Sequence, residues 1–535
     1  MIRCDNVSFG YPTKELYEEI NFEINTGEHI ALIGSNGSGK STLIDLIMHE
    51  EKYTYEGLIR RDGEYRIGYI SQFVEHETKD ADVFEFLAAP FVQLLKQSDE
   101  LGIQMAKAED MDAAYEAFQK VQDEIEAVDG YNYEANIRRQ LGVAGLCELA
   151  QQKVSELSGG EYKLLFVMRE MLLRPQLLIM DEPDVFLDFE NLLALIKLIN
   201  SYEQTLLIIT HNRLLLTQCF DKILDIENKS IREFPGTFAE YNSWMLETKI
   251  EMFMHAKSFD EFLERQEEVV KRIQTAAEQT AMPKAGRQLK ARASYIARLK
   301  KMRGEDPYIE RPEHEFHLAF DKDKEPIAIT MTDYGLSYGK KQILKDVSFT
   351  IEPGEKVALV GVNGTGKSSL LRDVYEKMEK EYPTAIGYFK QIVESDHTLG
   401  LSGGERNLKQ IDTLIEHPHE ALLLDEPTSH LDIYAQIALE KAIREYPGTV
   451  LMVSHDLFAV TGCADRIFLI EDNTIREMSG RAYRKSIYKK YFASDIFETE
   501  RLRIDKEMKV KGLIRAGKYE EAKNALLTNQ KDEVK

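Results

Sequence analysis

The stretch GSNGSGKS, residues 34–41, follows the short apolar run of residues 30–33 and leads into residues 42–48, which read as helix. Strand, glycine loop and helix form the setting in which a backbone loop cradles phosphate. Gly34, Gly37 and Gly39 let the loop's N–H groups, those of Ser35, Asn36 and Ser38 among them, turn inward around an anion. The helix that starts at Lys40, Ser41 and Thr42 points its positive end at the same anion. Lys40 supplies a point charge for outer phosphates and Ser41 a hydroxyl for Mg²⁺. A glycine turn before an ordinary helix would not need all of G-x-x-x-x-G-K-S. The stretch recurs as Gly361-Val362-Asn363-Gly364-Thr365-Gly366-Lys367-Ser368, followed by Ser369 and preceded by the run from Lys356 to Val360.

The surroundings recur with it. Residues 1 to about 243 and about 327 to 494 form an internal repeat. Each copy opens on a strand pattern carrying an aromatic, Val7-Ser-Phe9-Gly-Tyr11 and Gly335-Leu-Ser-Tyr338. After the phosphate loop comes a strand ending in glutamine, Gly68-Tyr-Ile-Ser-Gln72 and Gly387-Tyr-Phe-Lys-Gln391. LSGGE follows at residues 157–161 and 401–405. An apolar strand then runs into Asp181-Glu182-Pro183 or Asp425-Glu426-Pro427, and a β-branched strand ends in His211 or His455. Strands alternating with helices predict an α/β fold with a mainly parallel sheet.

Composition sets outer bounds. A chain of 535 residues, 43% hydrophobic and 30% charged, is expected to form several ordinary globular domains. Apolar runs such as residues 177–180 and 206–209 have strand length and fall short of the ~20 residues of a membrane span. The chain enters strand-like sequence at once, without a signal-peptide pattern. Cys4, Cys147, Cys219 and Cys463 are scattered, with neither metal spacing nor a disulfide framework. A cytoplasmic location is the expectation. The net charge of −24 argues against generic nucleic-acid binding, so a local basic patch on this body is informative.

The copies differ in size. Between Gln72 and Leu157 lies an insert that reads as helical over residues 81–97, with Pro90 as a break, and over 112–127. Between Gln391 and Leu401 there is almost nothing. Between the copies, residues 243–303 read as a helical hairpin. Phe259, Leu263, Gln266, Val270, Ile273 and Ala277 recur at coiled-coil spacing, residues 282–286 form the turn, and Leu289, Ala293, Ile296 and Leu299 return. The first helix reaches roughly 50 Å at ~1.5 Å per residue. Residues 281–304 hold eight basic residues and no acidic one: Lys284, Arg287, Lys290, Arg292, Arg298, Lys300, Lys301 and Arg303. Residues 305–326 read as a linker. The tail, from about 495, is charged and helical in pattern, and it fits either a solvated, partly disordered segment or a docked one.

Two phosphate loops, two LSGGE motifs and two apolar-Asp-Glu strands in this order resemble the ATP-binding cassette, twice in one chain. The resemblance covers about four fifths of the sequence. It implies two tandem P-loop cassettes, residues 1–243 and 327–494, joined by a helical hairpin linker, 244–326, and followed by an extension, 495–535. In that family two cassettes sandwich two nucleotides head to tail. The phosphate loop 34–41 is then paired with Ser402, Gly403 and Gly404, and the loop 361–368 with Ser158, Gly159 and Gly160. The implied cofactors are ATP and Mg²⁺. Asp181 and Asp425 hold Mg²⁺ through water, with Ser41, Ser368, Gln72 and Gln391. Glu182 and Glu426 polarise the attacking water, His211 and His455 contact the γ-phosphate, and Tyr11 and Tyr338 stack on adenine. One chain supplies both signature motifs, so a monomer is expected. One departure stands out: the second copy continues as Thr428-Ser-His430-Leu-Asp432, the first as Asp184-Val-Phe186-Leu-Asp188. That loop faces the other copy in the family, which implies asymmetric coupling.

Two cassettes fused through a basic hairpin, without a membrane span, resemble the ABC-F family. Asn212-Arg213 after His211, and Gly236-Thr-Phe-Ala-Glu-Tyr241, look like that family's ending of the first cassette. The resemblance implies an ATP hydrolase that binds the ribosome and inserts Lys284, Arg287, Lys290, Arg292 and Arg298 near rRNA and peptidyl-tRNA at the tRNA exit site. It implies a translation factor or an antibiotic-resistance protection factor. The alternative is an ATP-hydrolysing subunit bound to separate membrane proteins, for which a long basic arm has no use.

Overall fold

The structure, a computed structural model, describes the chain except residues 13, 62, 64, 73–79, 106–109, 186, 281–282, 303–314, 340, 392–402, 493 and 528–535. For residues 276–280, 283–288, 302, 338, 341 and 403–405 it describes backbone alone. Phe186, Ser402, Arg303 and the first turn residues of the hairpin thus lie outside the described residues, as do the side chains of Tyr338, Lys284 and Arg287.

The chain forms two compact units. One holds residues 1–238 and 314–495, which are the two repeated copies. The first copy runs β1 (Ile2–Tyr11), β2 (Lys14–Ile24), β3 (His29–Gly34), α1 (Lys40–Met48), β4 (Glu56–Arg61) and β5 (Ile67–Ile70). It continues through α2 (Val83–Met105), α3 (Met111–Ala127), α4 (Tyr133–Ala144), α5 (Gly159–Leu172), β6 (Leu177–Asp181) and α6 (Phe189–Ser201). It closes with β7 (Thr205–Ile209), α7 (Arg213–Gln218), β8 (Lys222–Glu227) and β9 (Ser230–Pro235). The hairpin follows as α8 (Phe238–Thr280) and α9 (Pro283–Met302). The second copy repeats the plan as β10 (Ile329–Tyr338), β11 (Lys341–Ile351), β12 (Lys356–Val360), α10 (Lys367–Glu381) and β13 (Ile386–Phe389). Then come α11 (Gly403–Glu416), β14 (Ala421–Asp425), α12 (Ile433–Glu445), β15 (Thr449–Val453), α13 (Leu457–Cys463), β16 (Arg466–Glu471), β17 (Thr474–Ser479) and α14 (Gly480–Tyr491). Two tail helices, α15 (Ile496–Arg515) and α16 (Tyr519–Leu527), end the described chain.

The central sheets have one order, β5-β6-β7-β3-β8-β9 and β13-β14-β15-β12-β16-β17. All pairings are parallel except the last in each. The predicted α/β repeat is therefore present twice. A parallel strand is covered on both faces and so reads as an unbroken apolar run; β7 and β15 are buried at every position. Strand order places the carboxyl ends of β3, β6 and β7 side by side. The phosphate loop, Asp181-Glu182 and His211 leave from those ends, where open α/β sheets collect ligand groups.

Helix starts follow local chemistry. Ser158 caps α5 in a reciprocal capping box with Glu161. Asp188 caps α6 and Asp432 caps α12. The insert of the first copy is helical as expected, but α2 runs through Pro90 instead of breaking there. Burial of Val83, Phe86, Leu87, Ala88 and Phe91, the last stacked on Tyr133 at 5.7 Å, outweighs the ~3 kcal/mol that an interior proline costs.

The other unit holds residues 239–313 and 496–535. Its spine is α8, 43 residues and so roughly 65 Å long at ~1.5 Å per residue, longer than the sequence pattern indicated. Leu263 on α8 and Ile296 and Leu299 on α9 are buried together, with Phe259 and Val270 against them. Lys300 bridges back to Glu267 at 2.6 Å. At the base, Leu246 and Ile250 of α8 form a separate core with Val510, Ile514, Ala522 and Leu526. Phe253 stacks on Tyr519 at 5.7 Å. The tail helices, residues 496–527, are docked, not solvated. Among the described residues, no helix is long and apolar enough to cross a membrane.

Candidate active sites

Each phosphate loop closes on its own lysine. Lys40 Nζ donates to Gly34 O at 2.9 Å and Ser35 O at 3.1 Å. Lys367 Nζ donates to Gly361 O at 2.8 Å and Val362 O at 3.0 Å. Burial pushes both ammoniums down in pKa, against acids around them: Glu182, Asp432, Asp181 and Asp225 for Lys40, and Glu426, Asp188 and Asp425 for Lys367. Gly39 has φ 103, and a Cβ there would stand 2.6 Å from the Tyr17 hydroxyl, which itself donates to Gly39 O. No other residue type fits. Ser41 Oγ donates to Asp181 Oδ2 at 3.0 Å, and Ser368 Oγ to Asp425 Oδ1 at 3.1 Å. A buried cation facing main-chain carbonyls, beside a hydroxyl–carboxylate pair, is a donor set that fits a triphosphate and one Mg²⁺. Burial, with Glu182 adding to it, raises Asp181 to about 6, which a divalent cation would reverse.

The paired acids differ in their surroundings. Glu182 and Glu426 both sit just past a strand end in the left-handed region, at φ 47 and 50. Gln72 Nε2 donates to Glu182 Oε2 at 2.6 Å. His430, from the second copy, places Nδ1 3.3 Å from that Gln72 nitrogen and 3.8 Å from Glu182 Oε2. Burial pushes Glu182 up, but His430, His211 and Lys40 outweigh it and the carboxyl lies below its ordinary range. Glu426 is buried without such a neighbour ring from the first copy among the described residues. Burial raises it to about 8, with the His455 N–H at 3.1 Å and Lys367 pulling the other way. His455 Nε2 stands 3.7 Å from Glu426, and burial, then Lys367, lowers that imidazole to about 3.

Residues of both copies line one cavity. A cavity of about 530 Å³, within the range of small-ligand pockets, is lined by Gly159 and Gly160 of the first copy. Facing them are Gly364, Lys367, Ser368, Ser369, Gln391, Glu426 and His455 of the second. Asp188 Oδ2 accepts from the Asn363 N–H at 3.1 Å across the same seam. At the other site Asn36 Nδ2 donates to His430 O at 2.8 Å, and α11 starts at Gly403, followed by Gly404. Tyr11 ends β1 with its ring half exposed, edge-on to Phe9.

Two buried cations were given no site role by the motif reading. Lys163, buried in α5, donates to three main-chain oxygens of the first site. Arg213 is buried across the seam against Glu440 and Asp456, its guanidinium 4.7 Å from the Phe458 ring. Comparing the two copies position by position would have flagged both, because their counterparts are Asn407 and Leu457.

The ABC transporter family model matches residues 17–185 and 344–384, which contain both phosphate loops and the first LSGGE and Asp-Glu pair. The chain is 27% identical over 531 residues to YdiF of Bacillus subtilis (strain 168), spanning 90% of this chain and 81% of that one. It is 26% identical to ABC transporter F family member 5 of Arabidopsis thaliana, over 90% of this chain and 76% of that one. It is also 26% identical to the energy-dependent translational throttle protein EttA of Escherichia coli (strain K12), over 92% of this chain and 96% of that one.

Proposed function

Because the chain is a tandem ATP-binding cassette protein, similar over most of its length to ABC-F members, we propose that it hydrolyses Mg²⁺-ATP between its two copies and uses the nucleotide state to control an arm that binds the ribosome. The observation that carries this reading is the shared cavity, in which Gly159 and Gly160 of one copy face Lys367 and Ser368 of the other.

In this reading Lys40 and Lys367 hold the outer phosphates, and the loop amides neutralise the rest. Glu182 and Glu426 take the role of orienting and polarising water, with Gln72, Gln391, His211 and His455 around them. Ser41 with Asp181, and Ser368 with Asp425, would hold Mg²⁺, which when bound supplies charge neutralisation to the outer phosphates. Tyr11 and Tyr338 are the proposed adenine platforms. The N-terminus of α5, at Ser158, Gly159 and Gly160, and that of α11, after Ser402, offer amides to a terminal phosphate across the seam. With that phosphate gone the amides lose their anion, and the copies part.

The arm gives the cycle its output. Leu263, Ile296 and Leu299 face inward, so Lys290, Arg292 and Arg298 lie on the exposed side of α9. A basic helix on a body of net charge −24 aims that end alone at phosphate. EttA is named a translational throttle, which fits a ribosomal partner for this arm. Whether it tunes translation or displaces a ribosome-bound antibiotic, the contact is the same: rRNA and peptidyl-tRNA.

The test is charge reversal. With Arg287, Lys290 and Arg292 replaced by Glu, ribosome binding should weaken and its log–log salt slope should flatten by roughly 2 to 3, while ATP turnover without ribosomes stays within about twofold. Unchanged binding at every salt concentration would overturn the arm's role.

A further inference from the structure

We propose that Lys163 is a positioning residue for the first site and that Asp184 is the counter-charge that holds it there. The inference rests on the ATPase reading above. Lys163 lies in α5, three residues past Gly160, and is 6% exposed. Its ammonium donates to Gln72 O at 3.0 Å, Glu182 O at 2.9 Å and Val185 O at 3.3 Å. An ammonium has three N–H donors, and here all end on main-chain oxygens of the segments that carry the first site's glutamine and glutamate. Drawing three carbonyls to one point fixes their peptide planes. Glu182 takes φ 47 there, as Glu426 takes φ 50 in the second copy, so the lysine steadies the segment around the glutamate and does not set its backbone conformation.

An acid lies beside the buried charge: Asp184 precedes Val185, whose carbonyl takes the ammonium at 3.3 Å, and it favours the charged form more than Glu182 or Asp181 does. Asp184 is fixed in turn by the Thr210 hydroxyl at 2.7 Å, from the residue before His211. The second copy has neither charge. Asn407 replaces the lysine and Thr428 the aspartate, and Asn407 Nδ2 donates to Ser429 O at 2.5 Å. The two positions change together between the copies, as a pair whose members depend on one another does. A buried ammonium without its carboxylate, or the reverse, is costly, whereas a neutral pair is not. Asp184 also lines the cavity that holds Lys367 and Ser368. A direct role toward the second nucleotide is therefore the competing assignment, and the experiment separates the two.

The first site is read alone in a Glu426→Gln background and the second alone in a Glu182→Gln background. Lys163→Asn should lower first-site kcat about tenfold, with KM for ATP within about threefold, because the phosphate ligands are untouched. Adding Asp184→Thr, which reproduces the second copy's pair, should return kcat to within about threefold of the parent, whereas Asp184→Thr alone should be slow. Lys163→Asn should leave second-site turnover within about twofold, and Asp184→Thr should slow the first site more than the second. Amide exchange supplies a readout without chemistry. The N–H groups of Glu182, Val185 and Leu187 bond to Ile209 O, Glu182 O and Asp184 O. The peptide over residues 179–188 should exchange faster in Lys163→Asn and recover in the double variant, with peptides of the second copy as the folding control. A double variant as slow as Lys163→Asn, a loss in KM, or an equal loss at the second site would overturn the proposal. If the parent shows no ATP turnover, the ATPase reading fails, and recovery of amide exchange in the double variant still decides the positioning role.

Discussion

His430 of the second copy places its Nδ1 3.8 Å from the Glu182 carboxylate of the first. The same ring is 3.3 Å from Gln72, and its carbonyl takes the Asn36 side chain at 2.8 Å. One residue thus touches the glutamate, the glutamine and the phosphate loop of the opposite copy. The first copy has Phe186 at the matching position, and a phenylalanine side chain offers no hydrogen bond.

Unequal turnover follows. Glu182 is ionised through the neutral range, while burial holds Glu426 up near 8. A carboxyl with a raised pKa keeps its proton below that value and becomes a base above it. At neutral pH the Glu426→Gln protein, which retains the first site, should therefore turn over ATP faster than the Glu182→Gln protein. The gap should narrow as pH rises through 8. Steady-state rates of both variants from pH 6.5 to 9 measure this; equal rates with parallel pH profiles would contradict it.

His430→Phe carries the same logic to one side chain. It copies the first repeat's residue and removes the imidazole nitrogen from beside Glu182. First-site kcat should fall roughly tenfold, a typical size for a lost positioning contact, with nucleotide affinity nearly unchanged. Single-turnover measurement in the Glu426→Gln background is the check.

The seam between the copies has its own asymmetry. Arg213 meets Glu440 and Asp456 on one side, and the matching positions on the other are Leu457 and Ile196. Arg213→Leu strands buried acids and should cost about 3 to 5 kcal/mol, whereas Arg213→Leu with Glu440→Ile should be close to neutral. Burial raises Glu440 to about 7 from an ordinary 4.5, against the pull of Arg213. The folded chain then holds a proton that the unfolded chain has released. The Glu440 contribution should lower stability as pH rises from about 4.5 to 7, and Glu440→Gln should remove that slope. Denaturation midpoints across that range test both statements.

Removing residues 496–535 should expose Leu246, Ile250 and Phe253 on the base of α8. Each apolar side chain returned to water forfeits about 1.5 to 3 kcal/mol. Limited proteolysis should then cut α8 near residues 246–254, and the apolar face should promote association. An unchanged digestion pattern would show that the tail helices do not support the arm.

What could be read without coordinates was whatever is local. Eight residues are enough for a phosphate loop, and a buried parallel strand betrays itself by an unbroken apolar run such as β7. Contacts set by the fit of one copy on the other were not legible in that way. His430 reaching Glu182 and Arg213 reaching Glu440 depend on a seam whose register no short motif encodes. Pro90 misled for a related reason: its helix-breaking tendency is local, and the burial of Phe86 and Phe91 that overrides it is tertiary. The helical pattern of the tail was visible, but the apolar face that Ile514 and Leu526 meet belongs to a helix some 250 residues earlier in the chain.

The central claim is that ATP held between the copies fixes the basic arm on the ribosome. Co-sedimentation of the Glu182→Gln, Glu426→Gln protein with ribosomes tests it most directly, in ATP and in ADP, with and without the Arg287, Lys290 and Arg292 charge reversals. Retention in ATP, release in ADP, and loss of the ATP-dependent fraction on charge reversal are predicted. Equal sedimentation in both nucleotides, or no effect of reversing the arm's charge, would contradict the account.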